Sequence, residues 1–142
     1  MEKKAFIFSI LTAIIWGLAP AFEKIGLRGK LDPYVGVVLR TLPIAFLGVA
    51  GLLALGKVKA LETVDTKSVI CVMIGGFLAG FLGQITFYHA LKTGEASMVV
   101  PLAAIYPLFA LFISVLFLGE AFTWYKLAGI MLIIAGIALL RL

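Results

Sequence analysis

Five long apolar segments, separated only by short polar connections, constrain this chain more than any other feature. Breaking the sequence at its charges leaves runs from about Ala5 to Ile25, Pro33 to Leu55, Ser68 to Leu91, Ala96 to Leu118 and Phe122 to Leu140. A helix that crosses a bilayer needs about 20 mostly apolar residues, and these segments meet that length. Hydrocarbon leaves backbone polar groups nowhere to bond but within the segment, so the spans are expected as helices. The alternation in roughly ten-residue stretches that marks a membrane barrel is absent. Residues 1–142 therefore read as one all-α membrane domain, a bundle of five transmembrane helices, placed as a multi-pass protein in the plasma or inner membrane. The apolar run behind Met1, Glu2, Lys3 and Lys4 lacks a convincing signal-cleavage site and reads as the first permanent helix.

Composition bears on this where charge is concerned. Only 13% of the residues are charged and 63% are hydrophobic. A soluble domain carries about 25% charged residues to cover its surface. The net charge is +5, but the bases fall singly and in pairs between the apolar runs. That is a pattern of membrane loops, and it argues against nucleic acid as a partner. The expected partners are lipids and a small-molecule substrate. With the N-terminus on one side, that side holds Lys3, Lys4, Lys57, Lys59, Lys67 and Lys126. The other holds Lys24, Arg28, Lys30, Arg40, Lys92 and Arg141, so the positive-inside rule selects neither orientation. The lone Cys71 and lone His89 give no metal spacing, and no cofactor motif or catalytic constellation is present.

Polar residues inside the spans are the functional candidates, because they are costly there. In the first span Thr12, Trp16, Pro20 and Glu23 share a helical face. In the second, Arg40 lies seven residues past Pro33, about 10 Å along a helix. Arg40 can pair with Glu23 near the same end of the adjacent helix, serving either a substrate or the structure alone. In the third, Gly76, Gly80, Gln84 and Tyr88 recur every four residues. The glycines suggest close helix packing and Gln84 a ligand contact. Pro20, Pro43, Pro101 and Pro107 are expected to kink their helices, with or without a part in transport. Gly129 and Gly136, seven apart, mark one face of the fifth span.

Several of these residues carry a resemblance to a known family. Trp16-Gly17 in the first span, Lys24 after it and Arg40 early in the next span resemble the EamA domain of the drug/metabolite transporter superfamily. The stretch Tyr88-His89-Ala90-Leu91-Lys92-Thr93-Gly94-Glu95-Ala96-Ser97, followed by Pro101, Pro107, Glu120, Gly129 and Gly136, strengthens the resemblance. The resemblance implies five helices per repeat, transport of small metabolites, and an inverted-repeat architecture of which this chain is half. It implies that two oppositely inserted copies rebuild the cavity, with the last helix of each, and so Gly129 and Gly136, at the seam. The four-helix multidrug relatives couple protons through a carboxylate in their first helix. Glu23 lies too late in the first span to be matched to it.

The leading expectation is a secondary carrier working by alternating access as a homodimer, with antiparallel insertion modestly favoured over parallel. Its substrate site would involve Trp16, Arg40, Gln84, Tyr88 and Tyr106. The alternative is a non-transporting membrane subunit, or a half-unit that assembles with another chain. A lipid-modifying enzyme is a weaker third reading.

Overall fold

The computed structural model describes residues 2–140. Arg141, one of the bases in the charge count, lies outside the described residues, as does Met1. The described residues form helices and turns and contain no strand. Among them seven α-helices follow one another: α1 (Lys3–Leu27), α2 (Pro33–Ala54), α3 (Thr66–Phe77), α4 (Gly83–Thr93), α5 (Ala96–Ala103), α6 (Tyr106–Phe117) and α7 (Trp124–Leu139). A 3-10 helix, Val58–Thr63, precedes α3, and a π-helical turn, Leu78–Leu82, joins α3 to α4.

Four stretches are long and apolar enough to cross a membrane: Lys3–Leu27, Pro33–Ala54, Thr66–Thr93 and Ala96–Phe117. These correspond to the first four expected spans. The fifth apolar run forms α7, whose 16 residues cover about 24 Å at 1.5 Å per residue. That is less than the roughly 30 Å of a bilayer core.

The helix ends follow from local chemistry. Asp32 caps α2, its carboxylate accepting from the amides of Tyr34 (2.9 Å) and Val35 (3.2 Å), with Pro33 in the first turn. Asp65 caps α3 by accepting from the Ser68 amide (2.9 Å) and hydroxyl (2.5 Å). The Thr123 hydroxyl accepts from the Lys126 amide (3.3 Å) at the start of α7. Such caps satisfy amides that have no partner in the first helical turn. At the other end of α2, Gly56 takes a positive φ of 62°, which a side chain would resist. The Gly56 amide then donates to the Leu53 carbonyl (3.1 Å) and the Lys57 amide to that of Leu52 (3.0 Å), closing the helix. Gly119 also takes a positive φ (66°), just after α6.

The chain forms two compact units, residues 1–93 and 94–142. In the first, α1 and α2 are neighbours and α4 packs against both, whereas α3 makes its main contacts with the π turn that follows it. The buried residues of this unit are Pro20 and Leu27 of α1, Pro33, Gly36 and Val37 of α2, and Tyr88 and Leu91 of α4. All lie toward one end of the three helices. Toward the other end, α1 before Pro20, most of α2 beyond Arg40 and all of α3 stay exposed. In the second unit α6 packs on α7, and Leu111 and Ile137 are buried. Exposed Phe, Leu, Ile and Val side chains line nearly every helix. A surface of this kind is stable in lipid and not in water.

Candidate functional site

One polar cluster lies within the spans of the first unit. Glu23 on α1 is its centre. Its Oε1 accepts from Nε2 of Gln84 (3.2 Å) and from the hydroxyl of Tyr88 (3.1 Å), both on α4. Nε of Arg40, on α2, lies 3.6 Å from the same oxygen, forming the ion pair that the sequence made geometrically possible. The Glu23 side chain is 14% exposed and that of Arg40 33%. Three helices thus each contribute a polar group to one point.

The spacing of residues explains how. Pro20, Glu23 and Leu27 lie three and four apart, so α1 presents Glu23 between two buried neighbours. Gln84 and Tyr88 are four apart and share one face of α4. On α2, Gly36 is four residues before Arg40. A Cβ at Gly36 would lie 3.1 Å from both Cδ2 and Cε2 of Tyr88 and 3.6 Å from Cδ2 of Leu27. The missing side chain lets the tyrosine ring lie against the α2 backbone, which brings its hydroxyl to Glu23.

Two lysines fasten the same end of the unit. Lys24 Nζ donates to the Leu91 carbonyl in the last turns of α4. Lys92 Nζ donates to the Leu31 carbonyl in the α1–α2 connection (2.6 Å). Carbonyls at a helix C-terminus lack an intrahelical partner and carry negative partial charge, so at Leu91 an ammonium answers both deficits.

The structure distributes the other candidates differently. Trp16 is on the Glu23 face of α1 but is 65% exposed. Thr12 returns its hydroxyl to the Phe8 carbonyl (2.8 Å) within α1. Tyr106 is the first residue of α6, in the second unit, and is 59% exposed. Pro20, Pro43 and Pro101 lie inside α1, α2 and α5. Pro107 sits instead in the first turn of α6, after an interruption at Ala104 and Ile105. Gly129 and Gly136 are both on α7, with no atom of the second unit within 4 Å of a Cβ built at either.

The glycine face expected on the third span needs correction. The π turn bonds from i to i+5 and so holds an extra residue. The extra residue turns the helix by about 100° at 3.6 residues per turn. A Cβ at Gly76 or Gly80 would meet no atom of the first unit within 4 Å. The close approach is at Gly36 instead. Gly83 serves the π turn itself, since a Cβ there would lie 2.9 Å from the Leu78 carbonyl oxygen. Sequence reasoning missed Gly36, although its four-residue spacing from Arg40 is the same signal that drew attention to Gly76 and Gly80.

No group of three or more metal-ligating side chains is present among the described residues. No solved structure matches the chain. Residues 3–142 match the EamA-like transporter family. An uncharacterised protein of Methanocaldococcus jannaschii is 34% identical over 138 residues, covering 97% of this chain and 96% of that one. An uncharacterised transporter encoded in the cobO 3' region of a Sinorhizobium species is 26% identical over 140 residues, covering 99% and 98%. A protein of Salmonella typhimurium named a probable amino-acid metabolite efflux pump is 27% identical over 143 residues, covering 96% of this chain and 48% of its own length. With the family matched over nearly its whole length and apolar spans throughout, the chain is a multi-pass membrane protein belonging to the EamA-like transporter family.

Proposed function

We propose that this chain is one half of a secondary carrier that moves a small metabolite across the plasma or inner membrane by alternating access, with two copies forming the working unit. The observation that carries the reading is the Glu23–Arg40–Gln84–Tyr88 cluster, built from three apolar helices. Ionisable groups held inside a span are costly and mark a functional site by default. Trp16, on the same face of α1, is the further proposed substrate contact of this unit.

Alternating access needs one part that holds and one that moves. The packed end of α1, α2 and α4 suits the first role. The sparsely held α3, beyond the π turn, suits the second. In this reading α7 is the fifth crossing, and two copies make ten. The size of longer relatives supports the pairing: this chain spans about half the Salmonella typhimurium protein, 48%, and 45% of an uncharacterised transporter of Bacillus subtilis. The even division of bases between the two sides favours antiparallel insertion. Gly129 and Gly136 are the proposed seam.

The test is counterflow in vesicles containing only the purified chain, loaded with each metabolite class in turn. A carrier accumulates trace labelled substrate against an unlabelled internal pool. Folded protein that exchanges nothing in any class would overturn the carrier reading and leave a subunit that needs another chain. Cross-linking of single cysteines placed near Gly129, in a Cys71→Ser background, tests the seam.

A further inference from the structure

Four bases gather at the packed end of the first unit: Lys24 in the last turn of α1, Arg28 and Lys30 in the α1–α2 connection, and Lys92 in the last turn of α4. The two lysine ties bring them together. Lys92 Nζ, on the Leu31 carbonyl, sits one residue along the connection from Lys30 and three from Arg28. Lys24 Nζ is on the carbonyl of Leu91, the residue before Lys92. The acids of this end are already engaged. Glu23 is paired with Arg40 inside the spans, and Asp32 accepts from the first amides of α2. Lys24 and Lys92 each answer a backbone carbonyl. Arg28 and Lys30 do not: both are exposed, and neither side chain makes a hydrogen bond or ion pair among the described residues. These two charges stand where an apolar strip ends. Leu18 and Ile25, seven apart on one face of α1, are exposed. The αR backbone of Arg28 carries the helical phase on, so Arg28 closes the same strip three residues after Ile25.

We infer that this end of the unit is a binding surface for an anionic phospholipid, with the phosphodiester on Arg28 and Lys30, Lys92 beside it, and an acyl chain along Leu18 and Ile25. A guanidinium presents its donors in a fork that matches phosphate oxygens, and Lys30 adds a point charge. The lipid's charge offsets the mutual repulsion of four neighbouring cations. Basic clusters at the membrane boundary of a span attract anionic headgroups in this way. A free phosphate would gain the same polar contacts without the apolar strip, so the strip favours the lipid. The opposite end of the unit differs in kind: Lys3, Lys4, Lys57, Lys59 and Lys67 share it with Glu2, Glu62 and Asp65. That mixed surface is the control. The inference does not depend on the carrier reading, since a subunit without a substrate would bind the lipid equally well.

The experiment is thermal unfolding of the full chain in a neutral detergent, titrated with phosphatidylglycerol or with phosphatidylcholine of the same acyl chains. A ligand that binds only the folded state raises the unfolding temperature. Phosphatidylglycerol should raise it and saturate. Phosphatidylcholine, whose own cation opposes the bases, should do so far less. Each base near an anionic lipid is worth about fivefold in affinity, so Arg28→Gln with Lys30→Gln should raise the half-saturating phosphatidylglycerol by about 25-fold. Lys57→Gln with Lys59→Gln, at the mixed end, should leave it nearly unchanged. Equal shifts from the two lipids, an unaltered half-saturation in the Arg28/Lys30 variant, or an equal loss in the Lys57/Lys59 control would each overturn the proposal. A shift of the same size from inorganic phosphate or glycerophosphoglycerol would also overturn it, by showing a site for a soluble anion. Native mass spectrometry of the wild type needs no variant. Phosphatidylglycerol should stay bound in preference to phosphatidylcholine, and equal retention would sink the lipid surface even where a variant does not fold.

Discussion

The two halves of the third span, α3 and α4, are nearly equal in length, at 12 and 11 residues, and behave differently. α3 reads Thr-Lys-Ser-Val-Ile-Cys-Val-Met-Ile-Gly-Gly-Phe, mostly apolar, and buries no residue. α4 carries Gln84, Tyr88, His89 and Lys92, yet it packs on both α1 and α2 and buries Tyr88 and Leu91. The more apolar half is the less packed. In water the order would be reversed, because burial of apolar surface drives association there. In lipid an exposed Val or Ile loses nothing, so packing goes to segments that offer shape and hydrogen bonds. α4 offers both: Tyr88 against Gly36, Gln84 on Glu23, and a C-terminus bonded to Lys24.

Removing volume from the packed half should have the largest effect. Leu91→Ala should destabilise the folded state by about 2–3 kcal/mol through the cavity it leaves. Val72→Ala in α3 should change little. Reversible unfolding in mixed detergent–SDS micelles measures both, and equal losses would mean that α3 is packed as tightly as α4.

Adding volume draws the same contrast more finely. Gly36→Val places atoms where the Tyr88 ring lies and should cost about 1–2 kcal/mol, with loss of the Tyr88–Glu23 bond. Gly80→Leu, which meets open space in the first unit, should stay within about 0.5 kcal/mol. The same unfolding assay checks the pair. A larger penalty at Gly80 would restore the glycine face read from the sequence.

The smallest effect is at the open end. The Ser68 hydroxyl, and then its amide, donate to Asp65 and hold its carboxyl below the ordinary value of 3.8. A depressed carboxyl stabilises the folded state above its unfolded pKa, and the contribution is lost as pH falls through the folded one. The cap of α3 should therefore survive to below pH 3.8 and then weaken. The Ser68 amide resonance, followed by NMR through acid titration, reports it. A midpoint at or above the ordinary value would show that the cap is not formed.

Much of this was legible in the sequence. Four apolar stretches became membrane-length helices, since length and the lack of charge decide that by themselves. Arg40 and Glu23 could be brought together from their depths in adjacent spans. The π turn could not be read, because one extra residue per turn leaves composition untouched while rotating every face beyond it. Gly36 escaped for a related reason. A glycine serves close approach only if a bulky partner arrives opposite, and that partner, Tyr88, lies more than fifty residues along the chain. The break at Ala104 and Ile105 shows the same limit: two prolines marked a weak helix, but not where it would part.

In the proposed carrier, the Glu23–Arg40 pair at the packed end is the centre of substrate handling. Counterflow of a substrate first identified by thermal shift tests this directly, in vesicles with equal amounts of folded wild type, Arg40→Ala and Gly80→Leu. Arg40→Ala should lose at least about nine-tenths of the flux, as one charged hydrogen bond implies, while Gly80→Leu keeps most of it. Near-wild-type flux in Arg40→Ala would contradict a substrate site at the packed end.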